Sequence, residues 1–250
     1  MNTAFGIDIG GSGIKGAPVN LKDGTFSEDR LRIPTPQPAT PKAVAHICAK
    51  LLEHFDIPET APIGITFPAP IKDSVVRFIA NLDPSWQSVN VADLMQQELG
   101  RPVVAINDAD AAGLAEVQYG AAKGVAGTVI ATTLGTGIGS ALISNGVLIE
   151  NTELGHLKMH GVSAEKLAAA SVRKNEKLNW VEWAQRLQEY YEYLDMLFSP
   201  DLIVVGGGVS KKHEKFLPFL NLTCPIVAAQ LRNTAGIVGG AFYAAQQSEG

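Results

Sequence analysis

"FGIDIGGSGIKG" (residues 5–16) carries G-x-G-x-x-G at Gly11, Gly13 and Gly16. In a dinucleotide-binding unit such glycines open a helix whose N-terminus meets a pyrophosphate, with an acidic residue about 20 positions on. Here they lead into "IKGAPVN" (14–20), which is β-compatible and contains Pro18, a residue that breaks a helix interior. The acidic candidates Glu28 and Asp29 stand in a turn-strand region, not at a strand end. No G-K-[ST] follows at the spacing a Walker A loop needs. What remains is a strand–turn–strand hairpin. Its glycines admit φ > 0 and close approach of phosphate oxygens, and its backbone N–H groups form an anion-binding concavity. Ser12 adds a hydroxyl donor, and Asp8 ends the first strand where it can hold a divalent cation directly or through water. A glycine hairpin can also simply turn the chain.

The same grammar returns more than a hundred residues later. "GTVIATTLGTGIGSALISNGVL" (127–148) reads as strand, glycine turn, strand, with Thr133 and Thr136 as hydroxyl donors beside Gly135 and Gly137. Between the two lie a Pro-rich connector "PTPQPATP" (34–41), a helix over 42–55 and a buried strand "APIGITFP" (61–68). A short strand at 71–80 and a helix ending at Gly100 precede a strand "PVVAIN" (102–107) and an Ala-rich helix from Asp108. A long amphipathic helix (179–198), a strand into glycines "DLIVVGGG" (201–208) and a small-residue helix (234–247) complete the pattern. Two repeats of one unit predict two α/β lobes around a central cleft. The expected division is 1–106 and 107–250, with the C-terminal helix free to pack back on the first lobe.

The chain has 250 residues, 46% of them hydrophobic, enough for one large or two modest domains. Its net charge of −5 argues against a general nucleic-acid binder, though not against a local basic groove. Cys48 and Cys224 make neither a disulfide framework nor a zinc site. With no signal region and no membrane-length apolar run, a cytoplasmic protein is expected.

"DIGGSGIK" with "LGTGIG" resembles the two phosphate loops of the hexokinase–actin–heat-shock ATPase superfamily, and "NDADAAGLAE" (107–116) and "ELGH" (153–156) resemble the ROK sugar kinases. "VVGGGVSK" and "LRNTAGIVGGA" extend the likeness, which spans residues 6–241 and is strongest to the bacterial polyphosphate glucokinase group. The resemblance implies an actin-like ATPase (ribonuclease H-like) fold, a homodimer and Mg²⁺. It also implies phosphoryl transfer from inorganic polyphosphate to the 6-hydroxyl of glucose. An ATP-dependent ROK hexose kinase acting on glucose or mannose is the alternative.

By the same resemblance Asp108 is the general base, and Asn81, Asn107, Asp108, Glu153, His156 and Glu165 hold the sugar. On residue chemistry alone Asp108 could equally be a helix N-cap. Gly10, Gly11, Ser12, Gly13, Lys15, Thr133, Gly135, Thr136, Gly137, Gly207 and Lys211 are expected to hold donor phosphates, and Asp8 the Mg²⁺. Many ROK proteins place zinc-binding cysteines after E-x-G-H; residues 157–178 have none, so no zinc is expected. Lys166, Arg173, Lys174 and Lys177, with Lys211, Lys212 and Lys215, form either solvated helix faces or the route of a polyanion. ROK repressors place a helix-turn-helix ahead of the first phosphate loop, which here begins at residue 8, so a repressor is not expected. No nucleic acid or membrane partner is expected.

Overall fold

The computed structural model describes residues 2–79 and 82–249. Its contacts divide the chain inside one helix into two units, Met1–Ala111 with Thr234–Gly250, and Ala112–Asn233.

The first unit opens on β1 (Thr3–Gly10) and β2 (Gly13–Asn20), antiparallel from Thr3↔Asn20 to Gly10↔Gly13, so that only Gly11 and Ser12 make the turn. β3 (Leu31–Ile33) pairs antiparallel with β2, and only this end of the alternating segment 25–33 forms a strand of the sheet. After α1 (Pro41–Glu53), β4 (Ile63–Phe67) lies parallel to β1. The segment read as one strand at 71–80 instead forms a small hairpin of β5 (Ile71–Lys72) and β6 (Val75–Val76), turning through Asp73 and Ser74 at positive φ. α2 (Val91–Leu99) ends on left-handed Gly100, and β7 (Val103–Asn107) closes the sheet order β3-β2-β1-β4-β7. Ile7, Ile9, Ile65, Phe67, Leu51 and Trp86 anchor one core.

α3 (Asp108–Tyr119) leads into the second unit. There β8 (Thr128–Leu134), β9 (Ile138–Ser144) and β10 (Val147–Ile149) repeat the antiparallel meander. A small hairpin of β11 (Lys158–Met159) and β12 (Val162–Ser163) follows, with α4 (Glu165–Ala168), α5 (Ala170–Asn175) and α6 (Trp180–Phe198). β13 (Leu202–Gly206) and β14 (Ile226–Ala228) add in parallel, giving β10-β9-β8-β13-β14, the same order of pairings as in the first sheet.

α6 begins on a capping box: Asn179 Oδ1 accepts from the Glu182 N–H at 3.0 Å, and Glu182 Oε2 accepts from the Asn179 N–H at 2.8 Å. It buries Trp183, Leu187, Tyr190, Tyr191 and Leu194, while Leu197, in the last turn, is 47% exposed. α7 (Ala235–Glu249) belongs to the first unit and packs on β1 and β4. Gly6 faces the Ile237 carbonyl and Gly64 the Gly240 carbonyl so closely that neither position has room for a Cβ.

Candidate functional site

The first unit contributes the Gly10–Gly13 hairpin and the end of β7. Asp8, on the strand entering the hairpin, accepts from Lys15 Nζ at 2.8 Å through Oδ2 and from Thr66 Oγ1 at 2.9 Å through Oδ1. Register explains both contacts. Asp8 sits opposite Lys15 on β2 and opposite Thr66 on β4, and directly opposed residues share a face. Lys15 thus pairs with the carboxylate expected to hold Mg²⁺. Asp8 and Thr66 offer only oxygen donors, which suit a hard cation that keeps several waters and leans on substrate phosphates. Among the described residues no group of three or more His, Cys, Asp or Glu is arranged to cage a metal ion.

The hairpin glycines correct one expectation. Gly10, Gly11 and Gly13, and likewise Gly135 and Gly137, are absent from the residues with positive φ. At Gly13 and Gly137 the missing side chain leaves room for a neighbour. A Cβ on Gly13 would collide with the guanidinium of Arg32, and one on Gly137 with the Glu165 carboxylate, while Gly11 and Gly135 face open space. Gly207 is different: it has φ +80 and its α-carbon lies against the Leu134 backbone.

At the end of β7, Asn107 caps α3. Its Oδ1 accepts from the N–H groups of Ala109 at 2.9 Å and Asp110 at 3.2 Å. The N-cap reading weighed for Asp108 therefore belongs to its buried neighbour. Asp108 is an exposed residue of the first helical turn. Asn81 lies outside the described residues.

In the second unit "ELGH" forms a short 3-10 turn against β9. Ser140, which sequence reasoning passed over, locks it. Its hydroxyl donates to the Thr152 carbonyl and accepts from the Leu154 N–H at 2.9 Å. Gly155 lies on the Ile138 carbonyl with no room for a Cβ. The turn sets His156 between two carboxylates, Nε2 3.7 Å from Glu153 and Nδ1 3.6 Å from Glu165. Glu165, the first residue of α4, also reaches the second glycine loop at Gly137. Burial raises the Glu153 pKa; His156 opposes that and Glu165 adds to it. Ser171 was also missed. Its N–H donates to the Gly135 carbonyl at 3.0 Å and its hydroxyl to Thr136 O at 2.6 Å, pinning the loop. Neither serine stands in a motif whose spacing forecasts such a contact.

The two basic clusters, far apart in sequence, meet at one ring. The Arg173 guanidinium lies 3.8 Å from the Trp180 ring centroid, Lys215 Nζ 5.9 Å from it, and Phe216 stacks on it at 6.2 Å with planes 14° apart. Lys174, Lys177, Lys211 and Lys212 are exposed.

Two α/β units, each built on a strand–glycine turn–strand hairpin and sharing one strand order, define an actin-like ATPase fold. The chain belongs to the ROK family, whose model matches residues 4–170. It is 48% identical to a polyphosphate glucokinase of Mycobacterium tuberculosis (strain H37Rv) over 239 residues, covering 95% of this chain and 89% of that protein. It is similar to an inorganic polyphosphate/ATP-glucomannokinase from Arthrobacter sp. strain KM, with a TM-score of 0.94 and 50% identity over 99% of this chain and 100% of that one. A ROK family glucokinase from Streptomyces griseus, solved with glucose and AMPPNP, matches with a TM-score of 0.81 and 25% identity over 98% and 99% of the two chains.

Proposed function

We propose that the protein is a glucokinase that transfers a phosphoryl group from inorganic polyphosphate to the 6-hydroxyl of glucose. The observation that carries this reading is the Glu153–His156–Glu165 cluster against the second glycine loop, in a chain 48% identical to polyphosphate glucokinases. Two carboxylates beside an imidazole accept from and donate to a polyol, the recognition a sugar needs. Asp108 is the base that takes the proton of the attacking hydroxyl. Asn107 spends its side-chain oxygen on the helix cap and keeps its amide N–H₂ for the sugar. Asn81 is proposed as a further sugar ligand.

The loops at Gly10–Gly13 and Gly135–Gly137 hold the donor phosphates by backbone N–H groups, with Ser12, Thr133, Thr136, Gly207 and Lys211 alongside. Mg²⁺, held at Asp8, would neutralise charge on the donor phosphates. With this chemistry go a cytoplasmic location and a homodimer, the latter suggested by the resemblance to sugar kinases of the family. Among the described residues no helix is long and apolar enough to cross a membrane.

The Arg173–Trp180–Lys215 face favours polyphosphate over ATP, since a linear polyanion spreads charge beyond the reacting group. The test measures glucose 6-phosphate formation with Mg²⁺, polyphosphate and ATP being compared at equal phosphoryl concentration. Faster turnover on polyphosphate, with a KM rising steeply as KCl is added, is the expected result. Activity on ATP alone would overturn the donor assignment and return that face to ordinary solvated surface. Arg173→Ala with Lys215→Ala is expected to raise the polyphosphate KM about 3- to 10-fold, by removing two of the cations it meets, and to leave the ATP KM unchanged.

Glu153 supplies a pH test. Its raised pKa means that it takes up a proton at higher pH than an ordinary glutamate. Protonation removes an acceptor for the sugar. The glucose KM should therefore climb as pH falls from 7 to 5. Glu153→Gln should show a high KM already at neutral pH and no acid limb; a persistent limb would place the titrating group elsewhere. The sign for stability is the reverse. A carboxyl whose pKa is raised by folding costs stability where it is ionised, above its folded pKa, and not below the unfolded one. Glu153→Gln should keep or raise the Tm at pH 7.

A further inference from the structure

Arg32 was not among the residues that sequence patterns single out, and the reaction described above leaves it without a role. It lies on β3 directly opposite Lys15, which lies directly opposite Asp8. The three side chains form one row across the sheet, a carboxylate followed by two cations. Lys15 matches the carboxylate at 2.8 Å, which leaves the Arg32 charge uncompensated along that row. Its guanidinium is exposed yet held in place. It is laid back over the hairpin, Nη2 donating to the Ser12 carbonyl at 2.5 Å, with Nε and Cζ packed where a Cβ of Gly13 would stand.

A guanidinium has five N–H donors in a fixed fork suited to phosphate, and the neutral carbonyl takes one of them. Arg32 is an exposed residue, so the remaining donors face water beside the turn. A cation parked at the rim of an anion-binding loop, in a notch that only glycine leaves open, has the geometry of a phosphate ligand.

We propose that Arg32 is a donor-binding residue: it turns from the Ser12 carbonyl to a phosphate of the donor next to the one transferred. The proposal rests on the reading of the Gly10–Gly13 hairpin as a phosphate loop. It separates two kinds of cation. Arg32 acts beside the reacting group and serves any donor with a second phosphate, polyphosphate and ATP alike. Arg173 and Lys215 serve polyphosphate alone.

Arg32→Gln keeps a donor for the Ser12 carbonyl and removes the charge and the fork. The purified full-length variant is compared with wild type in four measurements: KM for polyphosphate and for ATP, KM for glucose, calorimetric binding of inorganic tripolyphosphate with Mg²⁺, and Tm. The expected result is a rise of about tenfold or more in donor KM with either donor, and a matching loss of tripolyphosphate affinity. Glucose KM and Tm stay at wild-type values. Unchanged donor KM and tripolyphosphate affinity would overturn the proposal. So would a parallel rise of glucose KM with a lowered Tm, which would make Arg32 a brace for the hairpin and no more. Should wild type phosphorylate no sugar, the proposed function fails on its own, and the tripolyphosphate measurement still decides the role of Arg32.

Discussion

The Asp108→Asn protein turns over about 10²–10⁴-fold more slowly than wild type, while its affinity for glucose stays within about threefold and its Tm is nearly unchanged. The expectation follows from the division of labour at the end of β7. Were Asp108 the helix cap, its substitution would free N–H groups at the start of α3 and confound chemistry with folding. Asn107 makes both capping bonds, at 2.9 and 3.2 Å, and is untouched by the change. Asp108 sits exposed one residue further on, in the first turn, where the helix dipole favours a carboxylate by about 0.3–1 kcal/mol. Losing that charge leaves both capping bonds of the helix in place. An amide of the same shape still hydrogen-bonds a hydroxyl, so the sugar still binds, but it accepts no proton. The decisive comparison is kcat on saturating glucose against glucose affinity from calorimetry. A kcat within tenfold of wild type would remove Asp108 from the role of base.

Gly64→Ala should cost about 3 kcal/mol or more, the top of the usual range for overpacking. Gly64 is a buried residue of the parallel strand β4, and its α-carbon abuts the Gly240 carbonyl of α7. Most overpacked sites relax by turning a side chain to another rotamer. Here both partners are backbone, so relief requires the helix to move off the strand. Gly6 against Ile237 and Gly239 against Ala111 would move with it, because they make the same kind of contact along the same helix. At about 2–4 °C per kcal/mol for a chain of this size, Tm should fall by about 6–12 °C. Gly11→Ala is the control, since a Cβ there meets nothing within 4 Å and the residue has no positive φ. A fall of less than about 2 °C for Gly64→Ala would mean that α7 is not seated as closely on β4 as the contacts indicate.

Much of the site was legible because it is written locally. A hairpin needs only its own two strands and its turn, so "DIGGSGIKG" and "LGTGIG" announce their geometry within a few residues. The same holds for the helix start at "ND" and the turn at "ELGH". Local reading went wrong where a residue's partner is distant. The loop glycines were read as conformational devices, yet none takes positive φ; Gly13 and Gly137 are small because Arg32 and Glu165 occupy the space.

By itself, then, the sequence determined the class of fold, the two glycine hairpins as a repeated strand–turn–strand unit, and the acidic and imidazole side chains offered to a polyol. Alternation, turn chemistry and helix start signals act over short stretches of chain. Only the tertiary structure decided that Ser140 and Ser171 lock the second unit's loops, that two separate basic clusters share the Trp180 ring, and that Arg32 lies on the first hairpin. Each of these depends on strand register or on helix packing across long sequence separations. A contact of that kind is selected by burial and close packing of the whole core, and no short stretch of residues encodes it.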